Sequence, residues 1–415
     1  MAYGKNLYTL VEFGTDKICV LSGTCSDGNP EIVSFVQKSS AGSVVKGSVE
    51  DYNTALKILR EALEISDKIS GFSGDRKKVY YLLSGTSVTS FQGEGSVLID
   101  SPDRKVNEKH INDAAAEAQK AVFSADLCNV NSFDAYFMLD RRKRVADPYG
   151  AIAERLDACL HIISAEKKQL ENINAIFREL GFENGGEPVF SGIASAFGAL
   201  NNDEREKGVF LVDFGAGCCD YIMICNDGVL LSGVLPVGVH HIANDLSIGL
   251  NLPFDVCLRF LKESALENLR KNGQSFMEYK DGAGRARRIP LDSFEKIIDM
   301  RIREVFTILR GYLEKAKLLS YINTGVVLCG GGAVIPASQE IAHDVFRTHV
   351  RIGEAAGFTG AMSAFEYPAP CYTAIQGLLR YAAEYEDEYP SAMDGFRNAI
   401  VGLGERFLSK FGKAK

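Results

Sequence analysis

The stretch that most constrains the fold is residues 209–220, which read VFLVDFGAGCCD: an apolar run, an acidic residue and a tight glycine turn. The run 209–212 is typical of a buried strand, and the glycines let a backbone approach a ligand with no Cβ in the way. A similar stretch, LYTLVEFGTDK, lies near the N-terminus. One copy alone is more often a plain strand and turn. Two copies, each opening one half of the chain, predict a duplicated fold that clasps a nucleotide.

Length and charge narrow the class of protein. A chain of 415 residues is too long for one compact core and indicates two to four lobes. A net charge of −8 argues against nucleic-acid partners, which require a basic face. No stretch approaches the roughly 18 apolar residues of a membrane span, so we expect a cytoplasmic protein.

The ten cysteines indicate neither disulfides nor zinc. Most stand singly inside apolar segments, which predicts buried, reduced thiols. The sequence has no C-x-x-C pair, and its one pair of adjacent histidines is His240 and His241. A structural zinc site is therefore not expected.

The order of patterns along the chain predicts its organisation. Strands are expected over 7–36 and a helix over 52–69, and the second half repeats a group of strands from residue 209. Between 85 and 165 the pattern changes to short strands around one helix, at about 108–123. We interpret this segment as an inserted small α/β subdomain.

Four pieces of the sequence are candidates for a nucleotide site. The hairpins supply amides and side chains for phosphate oxygens. A strand ending in three glycines, followed by a helix expected to begin near 335–336, suits a sugar or flat ring, although a GGG run alone is weak evidence. Lys262 could reach adenine or ribose, but it is equally typical of a solvated lysine. The candidate nucleotide-binding residues are Gly14, Thr15, Asp16, Lys17, Asp213, Gly215, Ala216, Gly217, Cys218, Lys262, Gly330, Gly331 and Gly332.

The order of these pieces resembles that of the actin-like ATPase superfamily. Three segments resemble the FtsA family of bacterial cell-division proteins more closely: PVGVHHIANDLSIGLNLPFDVCLRFLK at 236–262, DPYGAIAERLDACLHIISA at 147–165 and VVLCGGGAVIPASQEIAHDVFRTHVRIG at 326–353. The resemblance covers roughly residues 7–383. Actin and the cell-shape homologue MreB lack an inserted domain at this place, which favours FtsA.

The resemblance implies an α/β, actin-like, two-lobed ATPase fold with a small α/β subdomain inserted in the first lobe. We expect a first-lobe core at 1–84 and 166–195 with a late helix at 370–384, an inserted subdomain at 85–165, a second-lobe core at 196–245 and 306–369, a further subdomain at 246–305, a linker at 385–395 and a terminal helix at 396–415.

The resemblance also implies a function. The expected protein binds ATP and Mg²⁺, forms filaments and tethers the FtsZ ring to the cytoplasmic face of the bacterial inner membrane at the division site. The lobe at 246–305 would receive the C-terminal peptide of FtsZ. Other expected partners are anionic lipids, further copies of the chain and downstream division proteins, which the inserted subdomain would help to recruit.

The chain departs from the family pattern at the phosphate hairpins. Glu12 stands where the family usually has aspartate, and with Asp213 it is expected to hold Mg²⁺ through water. Ala216, Cys218 and Cys219 replace a glycine and two hydroxyls, so hydrogen bonds worth on the order of 1 kcal/mol each are lost. No residue is predicted to be catalytic, and we expect ATP to be hydrolysed slowly or not at all.

The C-terminal segment has the composition of an amphipathic membrane-binding helix. Apolar side chains recur at spacings of three and four with basic neighbours, as in helices that lie in an anionic lipid interface. The alternative is a terminal helix that packs on its own domain. The residues predicted to contact the membrane are Phe396, Ile400, Leu403, Arg406, Phe407, Lys410 and Phe411.

Two other functions remain open at this point. A PilM-like pilus-assembly protein shares the inserted domain but needs no membrane helix of its own. A small-molecule kinase of the same superfamily would place a catalytic carboxylate between the lobes.

Overall fold

The computed structural model describes residues 7–26, 28–71, 79–121, 124–145, 147–280, 282 and 284–388. The predicted terminal helix at 396–415 and most of the predicted linker lie outside these residues. No helix among the described residues is both long enough and apolar enough to cross a bilayer.

Nineteen strands are described. In chain order they are β1 (Tyr8–Phe13), β2 (Lys17–Ser26), β3 (Asn29–Ser39), β4 (Val44–Val45), β5 (Ser48–Val49), β6 (Val79–Leu83), β7 (Val88–Leu98), β8 (Leu127–Leu139), β9 (Lys143–Val145), β10 (Arg155–Glu166), β11 (Glu187–Phe190), β12 (Val209–Phe214), β13 (Cys219–Cys225), β14 (Gly228–Leu235), β15 (Phe276–Lys280), β16 (Ala286–Pro290), β17 (Gly325–Cys329), β18 (Val350–Ile352) and β19 (Thr359–Gly360).

Eleven α-helices are described with them. They are α1 (Tyr52–Ser70), α2 (Glu108–Gln119), α3 (Lys167–Glu179), α4 (Ser191–Ala199), α5 (Asn202–Lys207), α6 (Val239–Leu250), α7 (Phe254–Lys262), α8 (Ala265–Lys271), α9 (Leu291–Lys315), α10 (Ser338–Phe346) and α11 (Thr373–Glu388).

The two large sheets repeat one arrangement. The first lobe has the strand order β11-β6-β1-β2-β3-β19, and the second has β14-β13-β12-β17-β18. In each, an antiparallel hairpin (β1–β2 or β12–β13) is extended on the side of its first strand by a parallel strand, β6 or β17. Residues 209–212 are fully buried, as the apolar run predicts. The predicted duplication is therefore present in the backbone.

Local signals account for the ends of several helices. Asp51 caps α1 by accepting a hydrogen bond from the Thr54 amide at 3.1 Å, and Gly71 ends the helix with φ 66°. Residues 254–271 form two helices, α7 and α8, rather than one, because Ser264 adopts φ 49° between them. Helix α11 runs to Glu388, past the predicted start of the linker at 385.

The inserted subdomain is a four-stranded sheet, β7-β10-β8-β9, covered on one face by α2. Its strands are longer than the short ones that the sequence predicted, because β7, β8 and β10 pair along almost their whole lengths. Gly93 and Gly95 let α2 lie against the sheet. A Cβ at Gly95 would stand 2.1 Å from the Ala114 carbonyl oxygen, and one at Gly93 would stand 2.6 Å from that of Ala118. The helix ends at Gln119, short of the predicted 123.

The inserted sheet also contacts the second lobe. Ser90 of β7 donates a 2.6 Å hydrogen bond to the Ser232 carbonyl of β14. The Nε2 of His161 on β10 lies 2.7 Å from the hydroxyl of the same Ser232. The subdomain is thus inserted in the first half of the sequence but packs on an edge strand of the second half.

Each lobe has its own apolar core. Phe13, Tyr81 and Phe177 pack edge to face or tilted beneath the first sheet, and Phe214 packs edge to face on Phe306 in the second lobe. All ten cysteines are free thiols, most of them buried, as the sequence predicts.

Candidate functional site

The turn between β1 and β2 is closed by its own backbone. The Gly14 amide donates to the Lys17 carbonyl at 2.9 Å, and a Cβ at Gly14 would stand 2.8 Å from that oxygen. Glycine therefore fits this tight turn where a larger residue would force it apart. From this turn Thr15 faces Gly217 and Asp16 faces Lys262, both in the second half of the chain.

The turn between β12 and β13 is built in the same way. The Gly215 amide donates to the Cys218 carbonyl at 2.9 Å. The start of α6 holds this loop, since the amides of Val239 and His240 donate to the carbonyls of Gly215 and Ala216 at 3.1 and 2.9 Å. The second turn is thus fixed to a helix of its own lobe.

The two turns meet face to face. A Cβ placed on Gly217 would lie 2.3 Å from Thr15 Oγ1, and Thr15 Oγ1 accepts a 3.0 Å hydrogen bond from the Lys46 amide. The duplicated hairpins therefore form two walls of one cleft between the lobes.

The glycine run after β17 forms a third wall. Gly330 has φ 81°, its amide donates to the Pro370 carbonyl at 2.8 Å, and a Cβ there would stand 2.4 Å from Asp213 Oδ1. Gly331 has open space beside it. Gly332 is packed against the Phe214 ring, where a Cβ would stand 2.2 Å from Cγ, and it is absent from the cavity lining. Helix α10 begins only at Ser338, later than predicted.

The cavity between these walls has an empty volume of about 1220 Å³, part of it open to solvent. It brings together Glu12 and every candidate nucleotide-binding residue except Gly332. Several other lining residues were assigned no role from the sequence, among them Ser84, Asp220, His240, Leu258, Leu261, Tyr367, Pro370 and Cys371.

Lys17 is the buried cation of the first turn. Its Nζ lies 3.8 Å from Glu12 Oε2, donates to the Cys371 carbonyl at 3.2 Å and stands 4.5 Å from the centre of the Tyr372 ring. Burial works to lower the pKa of this ammonium, but the negative charge of Glu12 outweighs it and the pKa is raised. Lys17 therefore stays charged at any physiological pH.

Two aspartates lie deep in the cleft. Burial raises the pKa of Asp213 to about 6, although Ser195 donates a 2.7 Å hydrogen bond to it. Burial and the nearby Asp213 raise the pKa of Asp220 well above its usual range, despite two hydrogen bonds from the Ser84 hydroxyl at 2.7 and 2.8 Å. Burial thus favours the neutral form of Asp220, while Asp213 ionises near pH 6.

The two cysteines of the second turn point in different directions. Cys218 lines the cavity, and burial raises the pKa of its thiol to about 12. Cys219 is fully buried, and its thiol donates to the Val237 carbonyl at 3.0 Å. At this turn the cavity is therefore lined by one neutral thiol, that of Cys218. The Cys219 thiol instead contacts the segment that leads into α6.

A contact crosses the mouth of the cleft. Lys262 Nζ on α7 lies 2.6 Å from Asp16 Oδ1, and His240 Nε2 lies 3.8 Å from the same oxygen. Burial raises the pKa of Asp16, but His240 and Lys262 outweigh it and lower the pKa to about 2. Asp16 is thus ionised across the physiological range.

Comparison with known proteins identifies the family. The model "Cell division protein FtsA" matches residues 210–377, and "SHS2 domain inserted in FTSA" matches 85–164, so the two together cover more than half of the chain. The cell-division protein FtsA of Borreliella burgdorferi is 28% identical over 395 residues, 92% of each chain. That of Pseudomonas aeruginosa is 25% identical over 388 residues, 93% of this chain and 91% of its own.

Solved structures confirm the fold. A chain of the PilM-PilN type IV pilus biogenesis complex superposes with a TM-score of 0.60 at 13% identity, covering 90% of this chain and 97% of its own. MreB5 of Spiroplasma citri bound to ADP superposes with a TM-score of 0.55 at 13% identity, covering 93% and 99%. The predicted actin-like fold with its inserted subdomain is confirmed, and the chain belongs to the FtsA family of cell-division proteins.

Proposed function

We propose that this chain is an ATP-binding, filament-forming division protein that tethers the FtsZ ring to the cytoplasmic face of the bacterial inner membrane and recruits later division proteins. Family membership supports the role in division. The single observation that carries nucleotide binding is the meeting of the two duplicated turns, where Gly217 leaves no room for a side chain beside Thr15.

The residues of the cleft suit a nucleoside triphosphate. The first turn offers amides and the buried ammonium of Lys17 for phosphate oxygens, and the second offers the amides of Ala216 and Gly217. Gly330 and Gly331 give close approach for the adenosine, with Tyr367 and Pro368 in the same wall. MreB5 of Spiroplasma citri, which has this fold, is described as bound to ADP.

Glu12 and Asp213 would hold Mg²⁺ through water. Both line the cavity, and carboxylate oxygens are the ligands that this ion prefers. Among the described residues no three His, Cys, Asp or Glu side chains are grouped to hold a metal. Mg²⁺ usually keeps several waters and binds together with phosphates, which is compatible with two carboxylates acting at a distance. The ion would neutralise charge on the phosphate groups.

The same cleft supports slow or absent hydrolysis. A general base must be ionised to accept a proton from the attacking water, and burial favours the neutral form of Asp220. Cys218 stands where a hydroxyl would donate a better hydrogen bond to phosphate. ATP would then act mainly as a ligand that fixes the relation of the lobes.

The lobe at 246–305 offers apolar surface for a peptide. Ile248 on α6 is 73% exposed and Met300 on α9 is 63% exposed. Exposed large apolar side chains on a charged helical surface support the docking of a short segment such as the C-terminal peptide of FtsZ. The terminal segment 396–415 would supply the membrane contact.

Co-pelleting with liposomes tests the proposal. FtsZ is mixed with anionic liposomes, with the full chain or a chain lacking 396–415, and with or without MgATP. We expect FtsZ in the pellet only with the full chain, and more of it with MgATP. FtsZ that stays in the supernatant while the full chain pellets would contradict the tether.

A further inference from the structure

One end of the inserted sheet carries a run of basic side chains. The turn between β8 and β9 reads Asp140-Arg141-Arg142-Lys143-Arg144, and all four basic residues are exposed. Asp140 and Arg141 have φ 50° and 58°, and the Arg142 amide donates to the Leu139 carbonyl at 2.9 Å, as in a type I′ hairpin turn. This geometry holds the basic run at the tip of the sheet.

The turn is anchored to its neighbour strand. Oδ1 of Asp140 accepts hydrogen bonds from the amides of Glu154 and Arg155 at 2.9 and 3.0 Å. The run is thus a fixed part of the sheet end, and its charges keep a defined position relative to β10.

Large apolar side chains are exposed at the same end. Leu98, at the end of β7, is 74% exposed and pairs with Arg155 across the strands. Ile152 is 70% exposed and bridges to Lys105, and Tyr149 is 60% exposed. From Leu98 on β7 to Lys143 on β9 the sheet end spans three strand spacings, roughly 14 Å. These apolar residues and the basic turn lie at the same end of the inserted sheet, and we call this region the sheet-end surface.

The charges of this surface are only partly neutralised. Arg141 Nε lies 3.9 Å from Asp157, and the Arg144 guanidinium stacks 3.9 Å over the Tyr136 ring. Among the described residues, Arg142 and Lys143 have no carboxylate within ion-pair distance. These two cations stand on a chain whose net charge is −8, so the partner that complements them is anionic.

We propose that the sheet-end surface is a second membrane contact, which lies against anionic phospholipid headgroups independently of segment 396–415. Basic residues flanked by exposed aliphatic and aromatic side chains are how a protein surface enters the interface of an anionic bilayer. The apolar residues come from separate segments spread across the sheet end, which fits a broad planar surface better than a single extended peptide. The contact would bring the inserted subdomain to the membrane.

A single-tryptophan reporter tests the proposal in the full chain, which contains no tryptophan. Tyr149→Trp places the only indole on the sheet-end surface, and Ile152→Trp is a second reporter. Ile69→Trp is the matched control, because Ile69 is 56% exposed on α1 of the first lobe. We expect vesicles of phosphatidylglycerol to shift the Tyr149→Trp emission to the blue, and phosphatidylcholine vesicles and the Ile69→Trp reporter to give no shift.

Removing the charges of Arg142 and Lys143 gives a second test. In the Tyr149→Trp chain, Arg142→Ser with Lys143→Ser should raise the phosphatidylglycerol concentration that gives half of the emission shift by on the order of 25-fold, at about fivefold for each charge. The melting temperature should not change, because both side chains are exposed.

Three results would overturn the proposal. The first is that both sheet-end reporters keep water-like emission while the chain pellets with the vesicles. The sheet-end surface would then make no membrane contact, and the proposed contact by segment 396–415 would be unaffected. The second is an equal shift with neutral vesicles. The third is a shift with soluble polyglutamate and none with vesicles, which would assign the surface to an acidic protein segment.

Discussion

Lys262 Nζ lies 2.6 Å from Asp16 Oδ1, joining a helix of the second lobe to the β1–β2 turn of the first. The pair stands at the mouth of the cleft that we propose for ATP, so the same lysine faces both a carboxylate and the incoming phosphates. Asp16 is negatively charged, because its pKa is lowered to about 2. It therefore places a negative charge in a turn whose other groups suit anions.

Asp16→Ser should strengthen ATP binding, by about three- to tenfold. The change removes a negative charge that opposes the phosphates, and partial exposure moderates the effect. Calorimetric titration with MgATP measures it. Asp203→Ser is the control, since it breaks an exposed pair with Lys207 far from the cavity lining. Weaker binding by Asp16→Ser would instead make Asp16 a holder of Mg²⁺.

Gly217→Ala should destabilise the free protein, by about 1–3 kcal/mol, because the new methyl group would stand 2.3 Å from Thr15 Oγ1. Gly331→Ala is the matched control in the same cavity, where a Cβ meets nothing within 4 Å. The melting temperatures of the two variants, measured by thermal unfolding without nucleotide, test this difference. Equal melting temperatures for the two variants would show that the hairpin turns do not meet as closely as described.

The MgATP-induced rise in melting temperature should grow as the pH increases through about 6. The raised pKa of Asp213 means that its carboxyl is neutral below that pH and able to attract Mg²⁺ above it. The measurement compares pH 5.5 with pH 7.5, with MgATP and with ATP plus a chelator. Asp213→Asn should remove the pH dependence. Asp220→Asn should change it less, because burial raises the pKa of Asp220 and favours its neutral form.

His161→Gln should reduce the loss of stability in acid. Burial lowers the pKa of His161 to about 4, against 6.5 for the free side chain. As the pH falls, the unfolded chain therefore binds this proton before the folded chain does. The free energy of unfolding is unaffected above about pH 6.5 and decreases by about 3 kcal/mol as the pH drops toward 4. Glutamine can keep a hydrogen bond to Ser232 without titrating. Unfolding curves from pH 7 to pH 4 measure the effect.

The control for this experiment is His343→Gln, whose side chain is 65% exposed. It should leave the slope of stability against pH as in the parent chain. An unchanged slope in His161→Gln would contradict the role assigned to burial of His161.

Local patterns predicted the hairpins well, because an apolar run and a glycine turn specify a buried strand and a tight reversal without reference to the rest of the chain. They could not predict that Gly332 packs on Phe214, since that depends on how β17 lies beside β12. Asp220 ends the segment 209–220, yet its burial beside Ser84 arises only when the lobes meet. His240 reaches Asp16 for the same reason.

The extent of the elements was harder to predict than their type. The inserted strands look short in the sequence because polar residues interrupt them, but long-range pairing in β7, β10 and β8 carries the backbone through those residues. The break at Ser264 has no strong local sign, since serine seldom adopts a positive φ.

The inserted subdomain is hydrogen-bonded to β14, so it connects the two lobes. Ser90 and His161 both hydrogen-bond to Ser232, on the edge strand of the sheet that carries the β12–β13 turn. Any rotation that widens the cleft must either break these hydrogen bonds or swing the subdomain with the second lobe. In the second case, widening of the cleft would also move the far end of the inserted sheet, because its strands extend away from Ser232.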